Sequence, residues 1–545
     1  MTWSQTYLLF GKGLAFSAFL AATPLFTLLI LLGVLRKPAW LAGVAGLAVT
    51  FVLAVGGYRM PVLTAVSAAA HGAAFGLFPI TWIVFWAITL FRVTEVTGKF
   101  EIIKHSVSRL TPDPRLQALL IAFAFGAFLE GAAGFGTPVA IAATMLTGLG
   151  FTAFSAAAIC LLANTSPVAF GSIAIPIVTL AGITGLPLDK LSSAVGSLCA
   201  PVSLILPAYL ILAMWGRRGF AGIWFPTGAA GLAFASVQFA VSHFIGPQLT
   251  DILAALTAMV VLVGVLRFWH PAKDGASGFL LEKNSGAGEA PQYSAGEALY
   301  AWLPYGLLVV CVLLWGYKPV QALLNSGTIG IHWPFLHNVV RRMPPIVAKA
   351  TPYPAIFNLN WFAASGTSCM TATLLSAICL RMRPRQFVHV LISVVRTLAL
   401  PTATVTSVLA IAFLMNYCGA TATLGLTFSA SGALFPFFSA LLGWLGVFLT
   451  GSDTSANALF GGLQVITANR LGLDPVLMAA TNSAGGVMGK MISLQTIAVA
   501  AAATGMSVSD QSKLFRFTLR HSVLLASVVG GLALLYTYVF QFRWN

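Results

Sequence analysis

Apolar windows long enough to cross a bilayer recur along almost the whole chain, and they restrict it to one class of fold. The clearest cover residues 14–35, 38–56, 76–91, 192–214, 220–243, 248–266, 298–316, 393–415 and 521–541. A helix of about 20 apolar residues spans the hydrocarbon core, and it satisfies its own amides where lipid offers them no partner. Only 8% of the residues are charged, against about 25% in a soluble domain, so the outer surface faces lipid. Trp and Tyr often fall near window ends, the positions of interfacial anchors. Two further stretches are apolar but interrupted. Counting them, the sequence predicts an all-α polytopic membrane protein with about 12 to 14 membrane-embedded segments.

In a soluble protein the formal net charge of +16 would raise the question of nucleic acid. Here the basic residues gather in short loops between windows. They are Arg36 and Lys37; Lys99, Lys104, Arg109 and Arg115; Arg217 and Arg218; Arg267, Lys273 and Lys283; Arg381, Arg383 and Arg385; Lys513, Arg516 and Arg520. That is the positive-inside pattern of a cytoplasmic face, so no nucleic-acid partner is expected. One window precedes Arg36, which places the N-terminus outside. The opening Met1-Thr2-Trp3-Ser4-Gln5 has no basic leader and no small-residue cleavage site, so the first window reads as a retained span.

Residues 269–297, rich in Gly, Ala, Ser and charge, read as a flexible cytoplasmic linker. It joins an N-terminal half, 1–268, to a C-terminal half, 298–545. Residues 317–355 carry His332, His337, Arg341, Arg342 and several prolines, and read as an external connection. The six cysteines lie in or beside apolar windows and read as packing residues, not as a disulfide frame. The eight histidines are scattered, so neither a metal site nor a cofactor is expected.

A polar, glycine-laden stretch occurs twice. The first copy runs from Phe128-Leu129-Glu130-Gly131 to Asn164-Thr165-Ser166, with Gly171 beyond. The second runs from Phe448-Leu449-Thr450-Gly451 to Asn482-Ser483, with Gly489 at the same spacing from its Asn. The basic loops start the first copy on the cytoplasmic side, just after Arg115. They start the second outside, because 393–415 has just crossed from Arg385. Two inverted repeats are therefore expected, a common plan of transporters. Between Arg115 and Arg217 lie three embedded stretches, 116–148, 152–180 and 192–214, although both ends should be cytoplasmic. One must turn back as a broken or re-entrant hairpin, which membranes tolerate only where it is buried or lines a polar cavity.

Charges inside apolar stretches are costly and mark pathways; Glu130, Asp453 and Lys490 are such charges. Glu130 and Asp453 are the candidate proton-coupling groups, since a carboxyl in a low-dielectric site can take and release a proton as access alternates. The structural alternative for Glu130 is a pair with a basic group across the repeat interface. Gly134 and Gly136, beside Thr137, lie in a run that breaks a helix and frees amides for an anion; close helix packing is the competing reading. Ser452, Thr454 and Ser455 surround Asp453 with oxygens suited to a solute hydroxyl or a cation, or to capping a broken helix. Lys490 can meet a substrate carboxylate or neutralise Asp453 or Glu130. Asn164, Thr165, Ser166, Asn482, Ser483, Ser493 and Gln495 complete the candidate substrate site as neutral donors and acceptors. Arg396 lies near the end of its window, where snorkelling accounts for it. Gly489-Lys490 is followed by Met491, which excludes a phosphate loop, and no His-Glu pair starts a metalloprotease motif. These residues point to a carrier of a small solute, not to an enzyme.

Four strings carry a resemblance. They are Phe128-Leu-Glu-Gly-Ala-Ala-Gly-Phe-Gly-Thr-Pro-Val-Ala-Ile141, Ala163-Asn-Thr-Ser-Pro-Val-Ala-Phe-Gly171, Gly443-Trp-Leu-Gly-Val-Phe-Leu-Thr-Gly-Ser-Asp-Thr-Ser455 and Gly485-Gly-Val-Met-Gly-Lys-Met-Ile-Ser493. With them, the chain resembles the bacterial L-lactate permease family, which includes glycolate permeases. The resemblance implies an inner-membrane secondary carrier of 2-hydroxymonocarboxylates, lactate and glycolate among them, coupled to protons and without a cofactor. The chain departs from the family pattern at Gly171-Ser-Ile-Ala-Ile-Pro176, where the family is richer in glycine, and at Ala456, where a Ser is expected. Three rivals stand beside this reading, one of them a channel, which inverted broken repeats carrying charges fit less well than alternating access. Another is a Na⁺-coupled carrier of another small carboxylate, with Asp453 holding the ion. The third is a sensor that binds a carboxylate without moving it, for which the loops are too short to supply a signalling domain.

Overall fold

The computed structural model describes residues 2–108, 110–134, 136–269 and 293–544. The expected linker therefore lies, over 270–292, outside the described residues, as do Arg109, Lys273 and Lys283. Among the described residues nine helices are long and apolar enough to cross a membrane, or up to 12 if each of three sharply bent pairs counts as one span. This meets the lower end of the expected range. The six cysteines are free, and five of them are buried.

Packing follows the logic of lipid, where large apolar side chains gain nothing by turning inward. Phe19, Val52, Leu232, Val260 and Ile378 point outward, while helices meet inside the body across small residues. Gly72 abuts the Leu409 carbonyl, Gly443 the Asn482 carbonyl and Gly485 the Ala440 carbonyl, each leaving no room for a Cβ.

The body has two distinct ends. At one, strand Trp3–Ser4 pairs in parallel with Val340–Arg342, which pairs antiparallel with Thr351–Pro352; Ile329–His332 pairs with Ile356–Leu359. The connection at 317–355 thus holds a short helix, Lys318–Asn325, and strands of two small sheets, one of them tied to the N-terminal segment. Gln5 also donates to the carbonyls of Asn416 and Tyr417, at 2.9 Å each. At the other end Lys99 lies over the Tyr300 ring, Tyr300 donates to the Cys379 carbonyl at 2.7 Å, and Arg92, Arg383 and Arg385 line one cleft. Helices Ser365–Cys379 and Pro384–Cys418 run between the two ends, so the basic loops named here gather opposite the strands.

The two glycine-laden copies build the same sequence of shapes. In the first, Gly126–Ala132 ends at a break and Thr137–Gly148 packs back along Ala118–Phe125, forming a hairpin. Gly134 and Gly136 hold φ of +61° and +81° in that break, a region glycine enters without steric cost. The helix pair that follows, Ala153–Ala163 and Val168–Thr184, bends by 67°. In the second copy, Phe435–Thr450 and Asp453–Leu471 form the hairpin around Gly451, and Pro475–Ile492 bends by 42° into Leu494–Thr504. The copies interlock reciprocally. Gly171–Thr184 of the first bent helix packs on Asp453–Leu471 of the second hairpin, and Leu494–Thr504 of the second bent helix packs on Thr137–Gly148 of the first hairpin.

A Cβ on Gly443 would collide with backbone, which no rotamer change relieves. Gly443→Ala is therefore expected to cost about 1–3 kcal/mol by overpacking and to lower the thermal midpoint in detergent. Gly264→Ala, at a helical position with open space around it, should leave that midpoint unchanged or slightly raised.

Candidate functional site

The breaks of both copies converge on one cavity of about 370 Å³, a size that holds a small ligand. Glu130, Gly136, Gly171 and Ser172 line it from the first copy; Thr450 to Ser455, Lys490, Gln495 and Thr496 line it from the second. Trp40, Leu400 and Pro401, from helices outside either copy, supply an apolar wall. All the charged side chains of the lining, Glu130, Asp453 and Lys490, come from the two copies.

Lys490 Nζ donates to Glu130 Oε1 at 2.7 Å, joining residues 360 positions apart. Asn164 Nδ2 donates to the other carboxylate oxygen at 3.0 Å. Glu130 is 2% exposed and Lys490 8%, so the pair is almost fully desolvated. Gly171 packs directly against it: a Cβ there would sit 2.9 Å from Glu130 Oε1, so any larger residue would have to move the carboxylate. Removing one partner of such a pair leaves an uncompensated buried charge, which is far more costly than the pair itself.

Asp453, the second buried carboxylate, accepts from Ser483 Oγ at 2.6 Å and Asn457 Nδ2 at 3.3 Å. Asn457 also donates to the Pro176 carbonyl at 3.1 Å, which ties the second hairpin to the first bent helix. Behind it Asn482 Nδ2 donates to Asn457 Oδ1 at 2.9 Å, and Gln464 Nε2 donates to Asn482 Oδ1 at 3.0 Å. Asp453 Oδ1 has no hydrogen-bond partner among the described residues, and Asp453 lines the cavity.

Three helices present N-termini here: Thr137–Gly148 after Gly136, Asp453–Leu471 after Ser452, and Leu494–Thr504 after Ser493. Ser452 Oγ accepts from the Ser455 amide and Ser493 Oγ from the Thr496 amide, both at 3.2 Å. Free first-turn amides and aligned dipoles favour an anion at such points. The arrangement is one ammonium, a carboxylate paired with it, a second carboxylate held by neutral donors, and a positive field from broken helices.

The sequence candidates divide into three groups. Glu130, Gly136, Ser452, Asp453, Thr454, Ser455, Lys490 and Gln495 line the cavity. Asn164, Asn482, Ser483 and Ser493 stand behind it, holding Glu130, Asn457, Asp453 and a helix cap. Gly134 lies in the break against Ser172, whose hydroxyl donates to the Ala133 carbonyl at 2.9 Å. Thr165 donates to its own helix at Leu162, and Ser166 receives Gln238 at its carbonyl, so neither faces the cavity. The Thr137 backbone opens its helix; its side chain lies outside the described residues. Missed from the sequence were Ser172, Thr496, Gln464 and the wall residues Trp40 and Leu400. Ser172 and Ala174 share with Ile173 a left-handed backbone at φ of 48°, 60° and 59°, a costly conformation for these residue types. Its signal was available in the glycine-poor departure at residues 171–176.

Residues 17–540 match the profile of a family described as L-lactate permease. The chain belongs to that family. It is 42% identical to the glycolate permease of Escherichia coli K12 and 42% identical to the L-lactate permease of Bacillus subtilis 168, over 99% of this chain and of each relative. The L-lactate permease of Escherichia coli K12 is 41% identical over 98% of both chains.

Lys490→Met is expected to destabilise the protein by about 3–5 kcal/mol, through the lone charge it leaves on Glu130. The double variant Lys490→Met with Glu130→Gln should recover part of that loss. Thermal unfolding of single and double variants in detergent measures the coupling, and strictly additive losses would show that the pair is not coupled.

Proposed function

We propose that this chain carries small 2-hydroxymonocarboxylates, L-lactate and glycolate among them, across the bacterial plasma membrane by symport with protons. Transport without chemical change is the reading, with the basic loops cytoplasmic and the strands and N-terminus outside. The observation that carries it is the Lys490–Glu130 pair at the edge of the cavity. A cargo carboxylate that reaches Lys490 must displace Glu130. The displaced carboxylate is then buried without a counter-charge, and a proton neutralises it. Anion and proton therefore load together. Their sum carries no net charge, so the membrane potential does not oppose uptake. The hydroxyl of the cargo falls to the neutral groups of the same cavity, Thr454 and Gln495.

The reciprocal packing of the two copies supports an inverted-repeat reading, in which access alternates as one interlocked hairpin rocks against the other. One observation favours a second reading. Asp453 lines the cavity together with Ser452, Thr454 and Ser455, an oxygen-rich set that a sodium ion would use.

Radiolabelled L-lactate uptake into proteoliposomes separates the two readings. With an inward proton gradient and no Na⁺, concentrative uptake that collapses with a protonophore is expected. Glu130→Gln should abolish that accumulation, and normal uphill uptake by this variant would overturn its role as proton carrier. Uptake that appears only when Na⁺ is supplied would move the Asp453 reading to the front.

A further inference from the structure

Asp251 lies in the first turn of the helix Thr250–Phe268 and is 1% exposed. Neither of its carboxylate oxygens has a hydrogen-bond partner among the described residues. The site described above makes no use of it, yet it adjoins that site. Gly131, the residue after Glu130, packs against it so closely that a Cβ there would come within 2.9 Å of Asp251 Cβ. The titratable groups within electrostatic reach of it are Glu130 and Lys490 from the two copies and Cys199 from Leu188–Ala221, which Asp453 reaches as well. Gln238, from Trp224–Phe244, faces it as well. Its Nε2 is used, donating to the Ser166 carbonyl at 3.1 Å, and its Oε1 has no donor.

Charge counting decides the state of this group. Three buried carboxyls, Glu130, Asp453 and Asp251, surround one ammonium, Lys490, which is committed to Glu130; Ser483 and Asn457 serve Asp453, and no hydrogen-bond donor among the described residues serves Asp251. Such an unpaired carboxylate at this depth is too costly to persist. A protonated carboxyl removes the charge and supplies an O–H to the Gln238 oxygen, so one proton resolves both deficits. Asp251 also lies toward the strand-bearing end of the body. The turn Pro247–Leu249 precedes it, and Gln248 in that turn reaches Ser365, which opens a helix leading away from the strands.

We propose that Asp251 is the proton-loading group of the carrier: protonated while Glu130 is paired with Lys490, it passes that proton to Glu130 when an incoming carboxylate takes Lys490. The inference rests on the proton-coupled reading above. In the step, an O–H bond on Asp251 breaks and one forms on a Glu130 carboxylate oxygen. Asp251 regains a proton from the aqueous phase at the strand-bearing end, past Gln248, the one residue of the Pro247–Leu249 turn that is not buried. Glu130 releases its own on the far side as it returns to Lys490. One proton crosses with each anion, and intramembrane carboxyl chains of this kind are a known form of proton relay.

The test uses the full chain in proteoliposomes with an internal pH dye, reading lactate-driven proton influx beside lactate–lactate exchange. Asp251→Asn is expected to lower proton influx about tenfold or more relative to exchange in the same vesicles. Infrared spectroscopy reads the proton directly. The wild type should show a protonated-carboxyl band near neutral pH that Asp251→Asn removes and that both Glu130→Gln and Asp453→Asn retain. Gln238→Met keeps the carboxyl and removes its acceptor, so it should shift that band even where Asp251→Asn fails to fold. Wild-type coupling in Asp251→Asn, or a band indifferent to both changes at 251 and 238, would overturn the proposal. Lactate uptake without any proton influx in the wild type would instead remove the reading on which it rests.

Discussion

A buried lysine bound to a buried glutamate is the constraint around which the centre of this protein is arranged. Each charge by itself would be intolerable in the membrane interior; together, with Asn164 on the second carboxylate oxygen, they are tolerated. The pair demands two things of the fold. Glu130 and Lys490 must be brought from opposite halves of the chain to 2.7 Å, which requires the copies to interlock. Space must also be cleared beside the carboxylate, which the glycine at 171 leaves. A pair of this kind contributes little net stability, because desolvation offsets most of the attraction. In the proposed cycle its value lies in being exchangeable: a visiting carboxylate takes the place of Glu130 once Glu130 is neutralised.

The helix breaks serve the same chemistry. An unbroken helix spends its amides internally, whereas Gly136, Ser452 and Ser493 each mark a fresh N-terminus inside the body. Lipid would penalise such ends. Here they are enclosed by the other copy and by helices Ala39–Val52 and Pro384–Cys418, whose Trp40 and Leu400 shield the cavity. Backbone polarity that would be a defect at the lipid face becomes a positive field at the site.

Legibility in the sequence followed cost. Glu130, Asp453 and Lys490 stood out because a charge in an apolar stretch has few reasons to exist. The glycines beside them stood out because they interrupt a helical pattern. Asn164 and Ser483 were legible only as members of the repeat; that they hold the two carboxylates and do not face the cavity depends on packing. Asp251 and Gln238 escaped notice because each lies within, not between, ordinary apolar windows, 248–266 and 220–243, with no glycine or repeat to flag it. Their meaning comes from Gly131 and Ser166 in the first copy, which no local pattern connects to them.

The sequence by itself determined the class of the protein: apolar windows of bilayer length, basic loops and two polar interruptions leave only a polytopic helical carrier, since each follows from transfer costs that act locally along the chain. The tertiary structure alone decided which partner each buried charge takes. Lys490 was open to Glu130, Asp453 or a ligand, and nothing in the spacing of residues chose between them. That choice depends on how two hairpins and two bent helices interdigitate, and electrostatic energy in a low-dielectric interior depends on distances of a few ångströms that only the assembled fold defines.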